Sequence, residues 1–84
     1  MKKTDNRIEF TVASVREGRY QPFYDRYGRE VPRWVLYITD TDGEVYEWLT
    51  SVEVRAGMII RATPIWETVD AVRITQGRVV GFAW

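Results

Sequence analysis

Residues 34–50 read Trp34-Val35-Leu36-Tyr37-Ile38-Thr39-Asp40-Thr41-Asp42-Gly43-Glu44-Val45-Tyr46-Glu47-Trp48-Leu49-Thr50. Apolar and polar side chains alternate on both sides of Asp42-Gly43, which is the strongest short sequence signal for a tight hairpin turn. The stretch therefore predicts two antiparallel β-strands joined by a short loop. Because side chains alternate between the two faces of a strand, the loop length decides which side chains share a face.

A two-residue loop would separate aliphatic from aromatic side chains. In that register Leu36 faces Leu49 and Tyr37 faces Trp48. One face is then mainly aliphatic and is expected to join the core: Trp34, Leu36, Ile38, Val45 and Leu49. The other face is polar and aromatic, as expected of a surface that stacks on flat ligands: Val35, Tyr37, Thr39, Tyr46, Trp48 and Thr50.

A three-residue loop is the alternative. Thr41-Asp42-Gly43 fits a type I turn followed by a glycine bulge, with Asp40 ahead of it. This loop shifts the pairing by one residue, and Leu36 and Ile38 then oppose Trp48 and Tyr46. We favour the two-residue loop because it segregates the two kinds of side chain better, although both registers fit the residues.

The composition indicates one small domain that lacks the usual catalytic side chains. We expect residues 1–84 to form a single domain, with residues 1–7 flexible. The chain has no histidine and no cysteine, which removes the commonest general base, the commonest metal ligand and all thiol chemistry. Asp40, Asp42 and Glu44 lack the spacing of a calcium loop. We therefore expect a protein that is not an enzyme and that uses neither a metal nor a cofactor.

Charge and hydropathy bear on location and partners. No apolar run is long enough to span a membrane, and Met1-Lys2-Lys3 is not followed by the apolar segment of a signal peptide, so we expect a cytoplasmic protein. The net charge is zero, but residues 1–33 carry eight basic and five acidic groups. Ten of the 12 basic residues are arginine, which grips phosphate in a bidentate manner and stacks on planar groups.

Several short strands with turn signals between them predict an all-β fold. Besides the hairpin, strands are predicted at residues 8–13 (running to Val15 through a bulge at Ala13-Ser14), 58–63 and 71–75. Residues 16–33 form a long first loop, itself hairpin-like around the turn Asp25-Arg26-Tyr27-Gly28. Closure into a barrel would remove the exposed strand edges.

A proline and a glycine-containing pair, both unfavourable inside a strand, set the expected ends of the later strands. Pro64 is expected to end the fourth strand, which leaves Trp66 in a loop at residues 65–70. Gln76-Gly77 is expected to break the fifth strand, after which the chain continues as a strand or a tail.

The order of these elements resembles the OB-fold, the five-stranded oligonucleotide-binding barrel. The segments Ile38-Thr39-Asp40-Thr41-Asp42-Gly43-Glu44-Val45 and Ala56-Gly57-Met58-Ile59-Ile60-Arg61-Ala62 are also similar to the single-stranded-DNA-binding domains of the replication protein A type. This resemblance covers roughly residues 34–80. It implies a small, closed or partly open five-stranded barrel with a long first loop.

The resemblance also implies which hairpin side chains face the ligand. Tyr46 and Trp48 would point into the ligand groove, and Val45 and Leu49 would point inward, in agreement with the two-residue loop. Glu47 would then fall on the inward face, where a small or apolar residue is expected. The connector at residues 51–57 is too short for the helix that these domains often carry there.

The loops supply the remaining candidate residues. OB-folds use the first loop and the loop between the last two strands as the walls of the groove. Basic residues interleaved with aromatic ones, as in the first loop, combine phosphate neutralisation with stacking platforms. The residues expected to bind nucleic acid are Tyr37, Tyr46, Trp48, Arg16, Arg19, Tyr20, Tyr24, Arg26, Tyr27, Arg33, Trp66 and Arg73.

The sequence leaves two functions open. The favoured function is non-catalytic binding of single-stranded nucleic acid. The preference for DNA over RNA and a role in DNA replication are implied only by the resemblance. The alternative is a protein-interaction or structural β-barrel subunit whose aromatic face contacts a protein partner or a second copy of the chain. Aromatic residues and arginine are enriched at protein interfaces too.

Overall fold

A computed structural model describes residues 6–84 of the chain, and within that range it contains strands and turns but no helix. The predicted flexibility of residues 1–7 falls mainly on residues 1–5, which lie outside the residues that the structure describes. The strands are β1 (Ile8–Tyr20), β2 (Phe23–Tyr24), β3 (Glu30–Val31), β4 (Trp34–Asp40), β5 (Val45–Thr50), β6 (Met58–Glu67) and β7 (Val72–Phe82). The predicted all-β class is confirmed.

Five strands close into a ring in the order β1-β4-β5-β7-β6. Neighbours in the ring are antiparallel, except that β5 and β7 are parallel. The short strands β2 and β3 form a separate two-stranded sheet within the long first loop. The predicted small five-stranded barrel with a long first loop is therefore confirmed, but the loop is shorter than predicted, because residues 16–20 belong to β1.

A bulge in β1 lets one strand serve two partners. Residues 8–11 pair with β6, whereas Val12 pairs with Asp40 of β4 and Ser14 pairs with Thr39. Ala13 is the extra residue, at the place where the sequence predicted a bulge. Because a bulge bends a strand and increases its twist, it helps β1 to close the ring.

The β4–β5 hairpin has the three-residue loop, so the favoured two-residue register is wrong. Leu36 pairs with Trp48 and Ile38 pairs with Tyr46. The Gly43 amide donates to the Asp40 carbonyl at 3.1 Å, and Gly43 has a φ of 88°. The Asp40 carboxylate also accepts hydrogen bonds from the backbone amides of Asp42 and Glu44, each at 2.9 Å. These bonds stabilise the longer loop, which the Asp-Gly pair alone does not reveal.

The one-residue shift exchanges the two faces of β5. Tyr46 and Trp48 point into the barrel and are only 8% and 4% exposed. Glu47 and Leu49 lie on the outer surface and are partly exposed. The predicted inward direction of Val45 and Leu49 is therefore wrong, and the expected conflict of an inward Glu47 does not arise. The face assignment of β4 is correct, because Leu36 and Ile38 lie in the core.

The core contains two close contacts that depend on this register. The rings of Phe10 and Tyr46 stack with their centroids 3.9 Å apart and their planes 7° apart. The indole of Trp48 lies against Gly77, where an added Cβ would be 2.7 Å from Cζ2 of Trp48. The buried core cluster comprises Phe10, Val12, Leu36, Ile38, Tyr46, Trp48, Val54, Met58, Ile60, Ala62, Val72 and Ile74.

Strands β6 and β7 are longer than the sequence predicted. Pro64 does not end β6, which continues to Glu67, and Trp66 lies in the strand rather than in a loop. From Thr63 onward β6 pairs with β7 but not with β1, so the missing N–H of Pro64 is tolerated on an edge. Gln76 has a φ of 54° and marks an irregularity in the pairing, but β7 continues through it to Phe82.

Candidate nucleic-acid interface

One side chain from each strand of the ring contributes to a row across the outer surface of the barrel. The registers of the strand pairs align the members of this cross-strand row in the order Arg16, Tyr37, Glu47, Arg73 and Trp66. The strands that carry Tyr37 and Trp66 are three strand spacings apart, which corresponds to about 14 Å measured along the curved sheet. The row therefore brings together four of the residues that the sequence predicted as ligand contacts and adds Glu47.

At one end of the row an arginine covers an aromatic ring. The Arg16 guanidinium carbon lies 4.6 Å from the centroid of the Tyr37 ring, which is cation–π distance. Gly18 flanks the same ring, because a Cβ there would approach Cε2 of Tyr37 to 2.8 Å. Arg16 is exposed and Tyr37 is partly exposed. The pair offers a planar surface with a positive charge beside it.

The other end of the row repeats this arrangement. The Arg73 guanidinium carbon lies 5.1 Å from the Trp66 ring centroid, and Trp66 is 53% exposed. Nε of Arg73 also lies 3.5 Å from a carboxylate oxygen of Glu47. Glu47 therefore offsets part of the charge of Arg73. Arg16, the other arginine of the row, has no carboxylate partner among the described residues.

The row lies between two connecting segments. The β2–β3 hairpin begins after Tyr20, which pairs with Trp34 at one end of β4. Residues 68–71 lie on the other side of the row, toward the Asp40 end of β4. They join β6 to β7 in a tight turn, in which the Thr68 amide donates to the Ala71 carbonyl at 2.9 Å. These segments are the first loop and the connection between the last two strands, which the sequence predicted as groove walls.

The tip of the β2–β3 hairpin carries a third arginine–aromatic group, which is exposed. Tyr27 is 72% exposed, and the guanidinium carbons of Arg26 and Arg29 lie 5.8 Å and 5.3 Å from its ring centroid. The Asp25 carboxylate accepts hydrogen bonds from the amides of Tyr27 and Arg29 and pairs with the Arg29 side chain at 3.1 Å. These bonds, first of all that from the Arg29 amide, lower the pKa of Asp25. The tip is thus an ordered turn.

The base of the hairpin uses its predicted binding residues for structure. The Arg33 guanidinium carbon lies 4.5 Å from the centroid of the Phe23 ring, and its Nε donates to the Gln21 carbonyl at 3.3 Å. The hydroxyls of Tyr20 and Tyr24 both donate to the Glu30 carboxylate. The hydrogen bond to Glu30 raises the pKa of Tyr20. Arg33 and Tyr20 therefore help to hold the hairpin together.

The remaining sequence-predicted residues divide between the surface and the core. Arg19 is exposed on β1, and its side chain donates to the Gln21 side chain at 3.1 Å. Tyr46 and Trp48 are buried, so the outward face predicted for them is wrong and their rings are not exposed for stacking. Burial raises the pKa of Tyr46, and its hydrogen bond of 3.0 Å to the Asp40 carboxylate raises it further. Their place on the outer surface is taken by Glu47, which the three-residue loop would have indicated.

The chemistry available on this surface is stacking and cation–anion contact. Guanidinium groups lie beside a partly exposed ring, Tyr37, and beside two exposed rings, Trp66 and Tyr27, and such pairs suit flat aromatic ligands that carry negative charge. Within residues 6–84, no group of three or more acidic side chains is arranged to hold a metal ion.

Comparisons of the chain with protein-family models, with curated proteins and with solved structures gave no significant match. Among the residues that the structure describes, no helix is long and apolar enough to cross a membrane.

Proposed function

We propose that this protein binds single-stranded nucleic acid without catalysis. The observation that carries the proposal is the cross-strand row on the outside of an OB-fold-like barrel, which places an arginine beside the partly exposed ring of Tyr37 and beside the exposed ring of Trp66. Bases would stack on Tyr37 and Trp66, while Arg16 and the hairpin-tip arginines contact phosphates. The preference for DNA, a role in replication, a cytoplasmic location and the absence of enzymatic activity stay predictions.

The outward position of Glu47 shapes this proposal. A carboxylate in the middle of the row repels phosphate, so the backbone of the ligand should lie toward Arg16 and the β2–β3 hairpin. Bases rather than phosphates would then cover the centre of the row. Glu47 also holds Arg73 beside Trp66, which supports the stacking surface.

Truncation of the exposed ring on the row tests the proposal. We expect Trp66→Ala to weaken the binding of a fluorescently labelled oligo-dT about 5- to 150-fold, because base–aromatic stacking contributes about 1–3 kcal/mol per base. Trp84→Ala is the matched control, because Trp84 is 74% exposed but lies outside the row, against Gly57. Equal affinities for the wild type and both variants, or no binding of oligo-dT or oligo-U at low salt, would rule the proposal out.

A protein-interaction barrel remains the second candidate function. Phe82 and Trp84, at the end of the described chain, are 66% and 74% exposed, and such aromatic side chains are enriched at interfaces. Light scattering after size exclusion decides whether this surface joins two copies. A dimer that Trp84→Ala converts to monomer would favour this candidate, and a monomer at all concentrations would count against self-association.

A further inference from the structure

One end of the barrel is an open pocket that the proposed function does not use. Its volume is ≈ 470 Å³, which lies within the range of small-ligand sites. The side chains that form it come from β1, β4, β5 and the connector after β5. They include Glu17, Trp34, Leu36, Thr50, Val52 and Glu53.

The pocket is open because the connector is short. Residues 51–57 contain no helix, and they cover this end of the barrel mainly with Val54, which is 8% exposed and part of the core cluster. Val52 in the same connector is 38% exposed. The floor and one side of the pocket are therefore apolar, while its mouth stays open to water.

The strand registers place a carboxylate and an indole at this mouth. Glu17 pairs with Leu36 across β1 and β4, and Trp34 pairs with Thr50 across β4 and β5. Leu36 and Thr50 are buried on the inward faces of their strands, so their partners stand on the same side of the sheet. Trp34 is only partly buried and packs against the core.

The charges around the pocket are of one sign. Glu17 and Glu53 are both exposed at its edge, and the lining includes neither lysine nor arginine. No residue in the range 6–84 forms an ion pair or a side-chain hydrogen bond with either carboxylate. The pocket therefore combines an apolar interior and an aromatic wall with two unpaired negative charges.

We propose that this pocket binds an organic cation on an apolar stem, namely an alkylammonium or alkylguanidinium group. The stem would contact Leu36 and Val52, and the cationic group would lie between the two carboxylates and the indole of Trp34. The side chains of arginine and lysine in a partner peptide have this chemistry, and so do free alkylamines. The two carboxylates disfavour a nucleic acid at this pocket, because its backbone is anionic.

The test is a titration of the ¹⁵N-labelled protein with two probes, the tripeptide Gly-Arg-Gly, blocked at both ends, and pentylamine. Binding should shift the Trp34 indole signal and the amide signals of residues 50–54. Tighter binding of the peptide assigns the pocket to a protein partner, and tighter binding of pentylamine assigns it to free amines. The blocked tripeptide with norleucine in place of arginine has a similar stem without the charge and should bind much more weakly.

Variants of the two carboxylates give the decisive comparison. Glu17→Gln combined with Glu53→Gln should weaken the better probe at least about threefold, since each exposed ion pair contributes little. Glu44→Gln combined with Glu67→Gln removes the same charge at the opposite end of the barrel and should leave the affinity unchanged. Equal loss in both double variants, equal binding of the norleucine peptide, or no shift with either probe overturns the proposal. The result is independent of oligonucleotide binding.

Discussion

Gly77 is a residue at which the packing of the barrel tolerates little change. A methyl group there would lie 2.7 Å from Cζ2 of Trp48, which is buried and is paired with strands on both sides. We expect Gly77→Ala to lower the free energy of unfolding by about 1–3 kcal/mol, the usual cost of overpacking. Chemical denaturation measures this change.

Gly81→Ala is the matched control for this prediction. It lies in the same strand, and the nearest atom to its added methyl group is Cδ1 of Ile59 at 3.7 Å, which is ordinary contact distance. Stabilities that fall equally in the two variants would show that the loss comes from replacing glycine in a strand and not from contact with Trp48.

Tyr46 makes stability depend on pH in the alkaline range. Its pKa is raised by burial and by the hydrogen bond to Asp40, so above pH ~10 the unfolded chain loses a proton that the folded protein keeps. The stabilisation is complete below the ordinary pKa and is lost as pH rises toward the folded value, by about 1.4 kcal/mol per pH unit. Denaturation of the wild type and of Tyr46→Phe across this range tests the prediction.

The comparison rests on the slope and not on the absolute stability. Tyr46→Phe also removes a hydrogen bond from the buried Asp40 carboxylate and should be less stable at every pH. We expect its loss of stability per pH unit above pH ~10 to be smaller than that of the wild type. Parallel curves for the two proteins would contradict the assignment.

At the scale of the element, the β2–β3 hairpin should loosen in acid. Hydrogen bonds from the backbone amides of Arg29 and Tyr27 and from the Arg29 side chain lower the pKa of Asp25. Their stabilising effect is present above the ordinary pKa of aspartate, about 3.9, and is lost as pH falls through the lower folded value. We expect amide hydrogen exchange at Tyr27 and Arg29, corrected for its intrinsic pH dependence, to accelerate there.

Asp25→Asn and Asp25→Ala separate the contributions to this hairpin. Asparagine keeps an oxygen that accepts from the backbone amides, so the turn should persist, but without the acid transition. Alanine removes the acceptor, and the Tyr27 and Arg29 amides should exchange rapidly at all pH values. An acid transition that persists in Asp25→Asn would point to another carboxylate, such as Glu30.

The β4–β5 hairpin shows how far the sequence predicts such an element. The alternation and the Asp-Gly pair correctly predict the two strands, and the face of β4 is correct. The favoured loop length is wrong, because the loop length depends on hydrogen bonds from the Asp42 and Glu44 amides to the Asp40 carboxylate. One residue of loop length reversed β5 and moved Tyr46 and Trp48 from the expected ligand surface to the core.

The other errors arise from contacts between strands that are distant in sequence. Pro64 was expected to end β6, but whether a proline interrupts a strand depends on which edge is paired, and β1 does not reach that part of β6. The all-β class, the β1 bulge and the Asp25–Gly28 turn were predicted correctly because local residue patterns specify them. The cross-strand row was predicted only in part, since Glu47 joins it through the register of β5.

At the scale of the whole molecule, neutral net charge does not prevent phosphate contacts, because the positive groups lie on particular surfaces. Each phosphate neutralised on a single strand contributes about −0.7 to the slope of log affinity against log salt concentration. If Arg16 contacts one phosphate, Arg16→Gln should make the slope shallower by about 0.7. Arg78→Gln, an exposed control on β7 outside the row, should leave the slope unchanged.

In the proposed complex, single-stranded nucleic acid lies along the cross-strand row. The most direct measurement is chemical-shift mapping of the ¹⁵N-labelled protein during titration with oligo-dT at low salt. We expect the largest shifts at the Trp66 indole and at the amides of Arg16, Tyr37, Glu47 and Arg73, with smaller shifts at the hairpin tip. Shifts confined to Phe82 and Trp84, or none at saturating oligonucleotide, would contradict this proposal.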